Sequence, residues 1–299
     1  MRVFVTGATG HVGSAVVRDL LDAGHEVVGL ARSDASAAAL AEVGAAVHRG
    51  DVDDLDSLRA GAAAADGVVH AANKHITETT DQAARARAEL AAVEAIGREL
   101  EGTGKPFAVT SGVIGRTPGT LLTEETPTVP NALTALRLPV ETATLALAGR
   151  GVRSSSIRLA PTVHGPGDAR GFIALLVGTA RTTGVSGYVG DGANRWPAVH
   201  RRDAATLFRL ALESAPAGTR AHAVAEEGVP FRAIAEAIGR ALALPAASVP
   251  AEEASGHFGL LAPLVSLDSP TSSVLTRDLL GWRPRHPDLL ADIAAGVYG

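Results

Sequence analysis

The chain has 299 residues, 46% hydrophobic and 20% charged, with a formal net charge of −5. That is enough apolar side chain for one large core, or for a domain carrying a smaller second lobe. A basic stripe is missing and aromatic residues make up only 3%, which argues against a nucleic-acid binder; with no cysteine, disulfides, thiolate metal sites and cysteine nucleophiles are excluded.

The first half alternates short apolar runs with helical patterns. Arg2–Thr6 reads as a buried strand, and His11–Ala23 as a helix with Val12, Val16 and Leu20 on one face and a stop at Gly24. Further strands are expected at Glu26–Leu30, Ala46–Arg49, Gly67–Ala71, Phe107–Thr110 and Ser154–Leu159. The helices between them fall at Ser36–Val43, Leu55–Ala64, Asp81–Leu100 and Asn131–Ala148. Such alternation predicts a parallel sheet covered on both faces. After Pro161, turns are expected around Gly165–Asp168 and Gly187–Gly192, and helices at Ala204–Glu213, Pro230–Leu244 and near Leu289–Ala295. The apolar stretches near Gly171–Ala180 and Phe258–Leu267 are too short to span a bilayer. No leader is expected before the first strand, and a cytoplasmic protein with a small-molecule substrate and no membrane or nucleic-acid partner is expected.

The string Gly7-Ala8-Thr9-Gly10-His11-Val12-Gly13 joins the first strand to the first helix. The first glycine permits a tight turn, the second lets the backbone approach a pyrophosphate, and the third lets helix and strand pack closely. The helix N-terminus then offers free N–H groups to the phosphates. The expected fold is therefore α/β: a Rossmann-type, doubly wound parallel sheet over residues 1–160, with a smaller C-terminal substrate-binding lobe over residues 161–299 that returns to the core near 196–225. The second strand ends in Ala31-Arg32-Ser33, with no acid before Asp34. An arginine and a hydroxyl suit a ribose 2′-phosphate, so NADP(H) is favoured over NAD(H). Asp51 and Val52 follow the third strand, where an aspartate can meet the adenine. Ala71, Ala72 and Asn73 follow the fourth, where small side chains leave room for a dinucleotide.

Together these residues resemble the extended branch of the short-chain dehydrogenase/reductase superfamily, which includes nucleotide-sugar epimerases and dehydratases. The resemblance continues through His70-Ala71-Ala72, Thr110-Ser111, residues 158–168, Gly190-Asp191-Gly192, residues 199–205 and residues 280–284. It implies a Tyr-x-x-x-Lys pair on the helix after the fifth strand, with a serine or threonine. Spacing of four puts both side chains on one helix face. In that chemistry the lysine lowers the tyrosine pKa and the tyrosine moves the substrate proton.

The pair is absent. If Glu141 is the glutamate such proteins often carry after the lysine, Arg137 stands at the lysine position and Leu133 at the tyrosine position, and Pro139 sits in the same helix. Arg137 can hold ribose hydroxyls but is a poor proton donor. Thr110 or Ser111 could bond a substrate oxygen. Pro161 and Val163 are expected beside the cofactor, and His164, His75 and Tyr188 are replacement acids to consider. Arg195 and Trp196 fall where the resemblance implies substrate contacts. The ten histidines show no His-x-x-x-His or Glu-x-x-His spacing, so no metal is expected. Three functions follow: an NADP(H) oxidoreductase with an unusual proton source, a nucleotide-sugar epimerase or dehydratase, and a non-catalytic NADP(H) sensor. Pairing through the 131–148 helix would give a homodimer.

Overall fold

The computed structural model describes residues 1–73, 81–113, 120–131 and 134–299. The first half runs β1 (Arg2–Thr6), α1 (His11–Asp22), β2 (Glu26–Ala31), α2 (Asp34–Glu42), β3 (Ala46–Arg49), α3 (Leu55–Ala63), β4 (Gly67–His70), α4 (Gln82–Leu100), β5 (Pro106–Gly112), α5 (Leu138–Ala146) and β6 (Arg153–Leu159). The second half adds β7 (Thr162–His164), α6 (Phe172–Thr183), β8 (Ser186–Val189), β9 (Arg195–His200), α7 (Arg201–Ser214) and β10 (Thr219–Ala223). It ends with β11 (Glu226–Pro230), α8 (Phe231–Leu242), β12 (Ala246–Val249), α9 (Ala254–Phe258), α10 (Ala262–Val265), α11 (Val274–Leu280) and α12 (Leu289–Ala294).

The main sheet has the order β10-β6-β5-β4-β1-β2-β3 and every neighbouring pair in it is parallel. Its strands alternate between two cores. Val3, Val5, Val69, Ala108 and Ile157 pack toward α1 and α7, while Phe4, Val68, Phe107 and Val109 pack toward α3, α4 and α5. This is a doubly wound Rossmann-type sheet. Chain order reverses on either side of β1, so the crevice past the carboxyl ends of β1 and β4 is where such a sheet binds its ligand. The strands after residue 160 are divided. β10 completes the main sheet, while β11-β9-β7 and β12-β8 form two small sheets, and a separate core gathers Trp196, Phe231, Ile234, Phe258 and Leu289. Among the described residues, no helix is long and apolar enough to cross a membrane.

Three expectations change. The helix expected over Asn131–Ala148 begins only at Leu138, with turns over 134–137. Pro139 is the reason: it has no N–H to donate, so it fits the first turn and not the interior of a longer helix. The expected turn at Gly187–Gly192 begins as strand β8, and the chain reverses only at Gly190 and Gly192, both at positive φ. α2 starts at Asp34, two residues early, because the Ser33 hydroxyl caps it by accepting from the Ser36 N–H.

Candidate active site

The glycine string closes on itself at the sheet's carboxyl edge. Gly7 turns at φ +67°, and a Cβ there would lie 2.6 Å from the Ala72 nitrogen; a Cβ on Gly13 would lie 2.0 Å from the Gly7 carbonyl oxygen. The β1–α1 turn and the segment after β4 therefore touch backbone to backbone. Gly10 donates to the Gly7 carbonyl at 2.9 Å and caps α1 without any side chain. The first-turn amides of α1 thus have no side-chain acceptor, and an anion such as a pyrophosphate can take them. Thr9 and Gly10 are exposed, and Val12 is half-buried beside them. His11 reaches across to the Val163 carbonyl through Nε2 at 3.1 Å, tying the cradle to the segment after β6 that begins at Pro161. Burial pushes its pKa below the ordinary histidine value, against the opposing pull of Asp168 and of the Val163 and Gly167 backbone. These residues fit a dinucleotide.

The end of β2 is less simple than its sequence. Arg32 is 80% exposed at its side chain, with Nε 3.7 Å from Asp51. Ser33 is committed to capping α2, and its carbonyl accepts from Arg49 at 2.8 Å. Asp51 itself accepts from the Asp53 N–H. Arg49, which was not expected here, joins Arg32 at this edge and is ion-paired with Asp34 through Nη2, so each of the two arginines faces an aspartate. A small crevice lies next along the edge, lined by Val52, Ala72, Asn73, Arg85 and Glu89 among others. Ala71 leads into it from β4, its N–H bonded to the Thr6 carbonyl.

Arg137 lies at the start of α5 and points into the layer below it. Its Nη2 donates to Glu89 of α4 at 2.7 Å and to the Thr110 carbonyl at 3.3 Å, while its Nε is buried without a partner. Glu89 is buried, and desolvation raises its pKa against the pull of Arg137 and Arg85. His70, at the end of β4, shares a hydrogen bond with the Thr6 hydroxyl at 2.9 Å. Burial, with Arg137 second, lowers its pKa to about 4, so it is neutral at physiological pH, and its Nε2 is buried and unpartnered. Strand register separates the two candidate hydroxyls. Ser111 pairs with Arg158 and shares the α4/α5 face with Val109, whereas Thr110 pairs with Ile157 and faces α7. Ser111 is therefore the hydroxyl on the Arg137 side. Glu141, on α5, is not at the crevice: it is buried and holds Arg158 through Nε at 2.7 Å and Nη2 at 3.1 Å.

The sequence singled out Arg137 and named His70 only as part of the resemblance; it gave no sign of Glu89 or Arg85, because their meeting depends on strand order. The later candidates lie elsewhere. His164 is fully buried, its Nδ1 2.6 Å from Asp292 of α12, so it is not open to a cleft. Tyr188 lies on β8 beneath the Arg232 guanidinium, 5.6 Å from the ring centroid. Trp196 is a core residue between Phe172 and Phe231, and Arg195 donates through Nε and Nη2 to Asp268. Trp196 and Arg195 thus hold the second lobe together. His75 and Leu133 lie outside the described residues. His200, Asp203 and His286 do gather within 4.8 Å. The Asp203 carboxylate is taken there by the N–H groups of Arg285 and His286 and by the His286 ring. Protein donors thus already occupy the one carboxylate that the cluster offers.

The layered sheet and glycine cradle define a Rossmann-type nucleotide-binding protein. The chain belongs to the NAD dependent epimerase/dehydratase family, whose model matches residues 3–224. It is 48% identical over 298 residues to an uncharacterised protein of Schizosaccharomyces pombe, covering 100% of both chains. It is 42% identical to an uncharacterised protein of Saccharomyces cerevisiae, covering 99% of this chain and 98% of that one. Its fold is similar to that of a double mutant of the dTDP-glucose 4,6-dehydratase DesIV from Streptomyces venezuelae, solved with NAD bound. The TM-score is 0.80 at 23% identity, over 99% of this chain and 96% of that one.

Proposed function

We propose that the protein is an NADP(H)-dependent oxidoreductase for a small organic substrate whose acceptor is already polarised, such as an enone or a cyclic imine. The carrying observation is the pairing of a complete dinucleotide cradle with an arginine where the tyrosine–lysine chemistry would need a lysine. The Gly7–Gly13 turn and the α1 amides would hold the pyrophosphate, and Arg32 with Arg49 would face the 2′-phosphate. Arg32 and Arg49 would each turn from an aspartate, Asp51 and Asp34, and exposed pairs of this kind contribute little. Bound NADPH would supply the hydride. Arg137, fixed by Glu89, binds and orients oxygen atoms but keeps its proton at working pH. Ser111 adds a hydroxyl on the same face. Among the described residues no acid matched to neutral pH stands at this edge, so substrates that need no strong proton donor are the ones these residues serve, with water as the proton source.

The test is a screen of ketones, enones and cyclic imines, read as loss of reduced-nicotinamide absorbance. Turnover of polarised acceptors, falling at least tenfold in Arg137→Ala, is expected. Turnover confined to simple ketones would contradict the reading. A second reading, interconversion or dehydration of a nucleotide sugar, draws support from the family match through residue 224. Leu133 at the tyrosine position weighs against it, because that chemistry needs a base at a sugar hydroxyl. Conversion of dTDP-glucose without net cofactor consumption would favour it.

A further inference from the structure

On the face of the sheet opposite α4 and α5, α1 and α7 enclose a groove of about 540 Å³ that includes Arg18, Arg201, Arg202, His286 and Pro166 in its lining. That volume lies within the range of small-molecule sites. Its two aspartates are engaged. Asp22 pairs with Arg18 at 3.1 Å, and Asp19 accepts from Arg209 at 2.7 Å and from the Thr206 hydroxyl at 2.9 Å. Among the described residues, neither Arg201 nor Arg202 forms an ion pair. The Arg201 pKa is lowered by burial and then by neighbouring Arg202, with Asp168 opposing, as for two adjacent cations short of an anion. In a chain of net charge −5 this is a local positive excess.

Arg201 also connects the groove to the cradle. It donates to the Pro166 carbonyl and, through Nη2 at 2.5 Å, to the Ser14 hydroxyl. Ser14 in turn donates to the Gly10 carbonyl at 2.7 Å. A guanidinium has five N–H donors, so Arg201 keeps others for a ligand.

We propose that this groove is a second ligand site, for a small phosphate ester, with the phosphate bound by Arg201 and Arg202 and occupancy sensed at the cofactor cradle through Ser14. Two guanidiniums suit a dianion better than a single carboxylate, and their planar donor forks match phosphate oxygens. The groove is larger than bare phosphate and leaves room for a short polar chain beside the half-exposed ring of His286. Binding at one site that alters the other must do so reciprocally.

The experiment is a calorimetric titration of glycerol 3-phosphate into the protein, free and saturated with NADPH, with glycerol as the control. One site is expected in both states. Its affinity should fall at least tenfold in Arg202→Ala and further in Arg202→Glu, with NADPH affinity unchanged in Arg202→Ala. Arg202 is exposed and its guanidinium bonds no side chain among the described residues, so both variants are expected to fold. Saturating glycerol 3-phosphate should shift NADPH affinity at least twofold in the wild type and not in Ser14→Ala. Equal affinity in wild type and Arg202→Glu, or no binding, overturns the site; binding with no shift in NADPH affinity overturns the linkage. Because the free protein is titrated too, the groove is read even if NADPH does not bind.

Discussion

Gly13 has room for a hydrogen and nothing larger. Its Cβ would sit 2.0 Å from the Gly7 carbonyl, a backbone atom that cannot swing aside. Gly13→Ala must therefore push α1 away from β1. It should cost the protein dinucleotide binding before it costs the fold, read as lost NADPH affinity in a chain that keeps its far-ultraviolet circular dichroism. Retained affinity would show that the cradle tolerates the shift. His70 makes a second residue-scale prediction. Its pKa falls from 6.5 to about 4 on folding. A group lowered in the folded state contributes stability that is fully present above pH 6.5 and lost as the pH falls toward 4. The loss at the acid end is about 3 kcal/mol for this one group. His200, lowered to about 4 by burial first, adds in the same direction. Urea midpoints should drop between pH 7 and pH 4.5, and His70→Gln should flatten part of that slope. An unchanged slope would mean that His70 is not the titrating group.

At the scale of elements, the C-terminal segment is tied down by polar contacts that no local pattern reveals. α12 presents Asp292 to His164 at 2.6 Å, and Tyr298 donates to Asp168 at 3.1 Å. Asp292→Ala leaves a fully buried imidazole nitrogen without its hydrogen-bond partner, which costs about 1–3 kcal/mol. The tail after residue 288 should then become sensitive to limited proteolysis while NADPH affinity is kept. A resistant tail would show that the apolar contacts of Leu289 and Ile293 suffice. These contacts also explain what the sequence left hidden. The first-half strands were legible because parallel strands covered on both faces are continuous apolar runs. β7, β9 and β11 carry histidine, proline and charge, so they read as loop, and α6 was noted only as an apolar stretch. The cradle was legible because its glycines are adjacent. Glu89 was not, and His70 was named only within the resemblance and given no role, because only the order β5-β4-β1 brings His70 to Arg137.

For the whole molecule, the outer face of α4 and α5 opens an apolar depression of about 500 Å³, with Leu90, Pro130, Leu138, Pro139 and Ala143 in its lining. Exposed apolar area of this kind on two neighbouring helices suits a second copy packed about a twofold axis. Light scattering at micromolar concentration is expected to give a dimer, and Ala143→Glu a monomer; a monomeric wild type would remove the idea. The central claim is cofactor choice, and calorimetric titration of the wild type and Arg32→Ala with NADPH and NADH tests it most directly. NADPH should bind the wild type at least tenfold more tightly than NADH, about 1.4 kcal/mol, and Arg32→Ala should lose most of that difference. Equal affinities in the wild type, or tighter binding of NADH, would contradict the account.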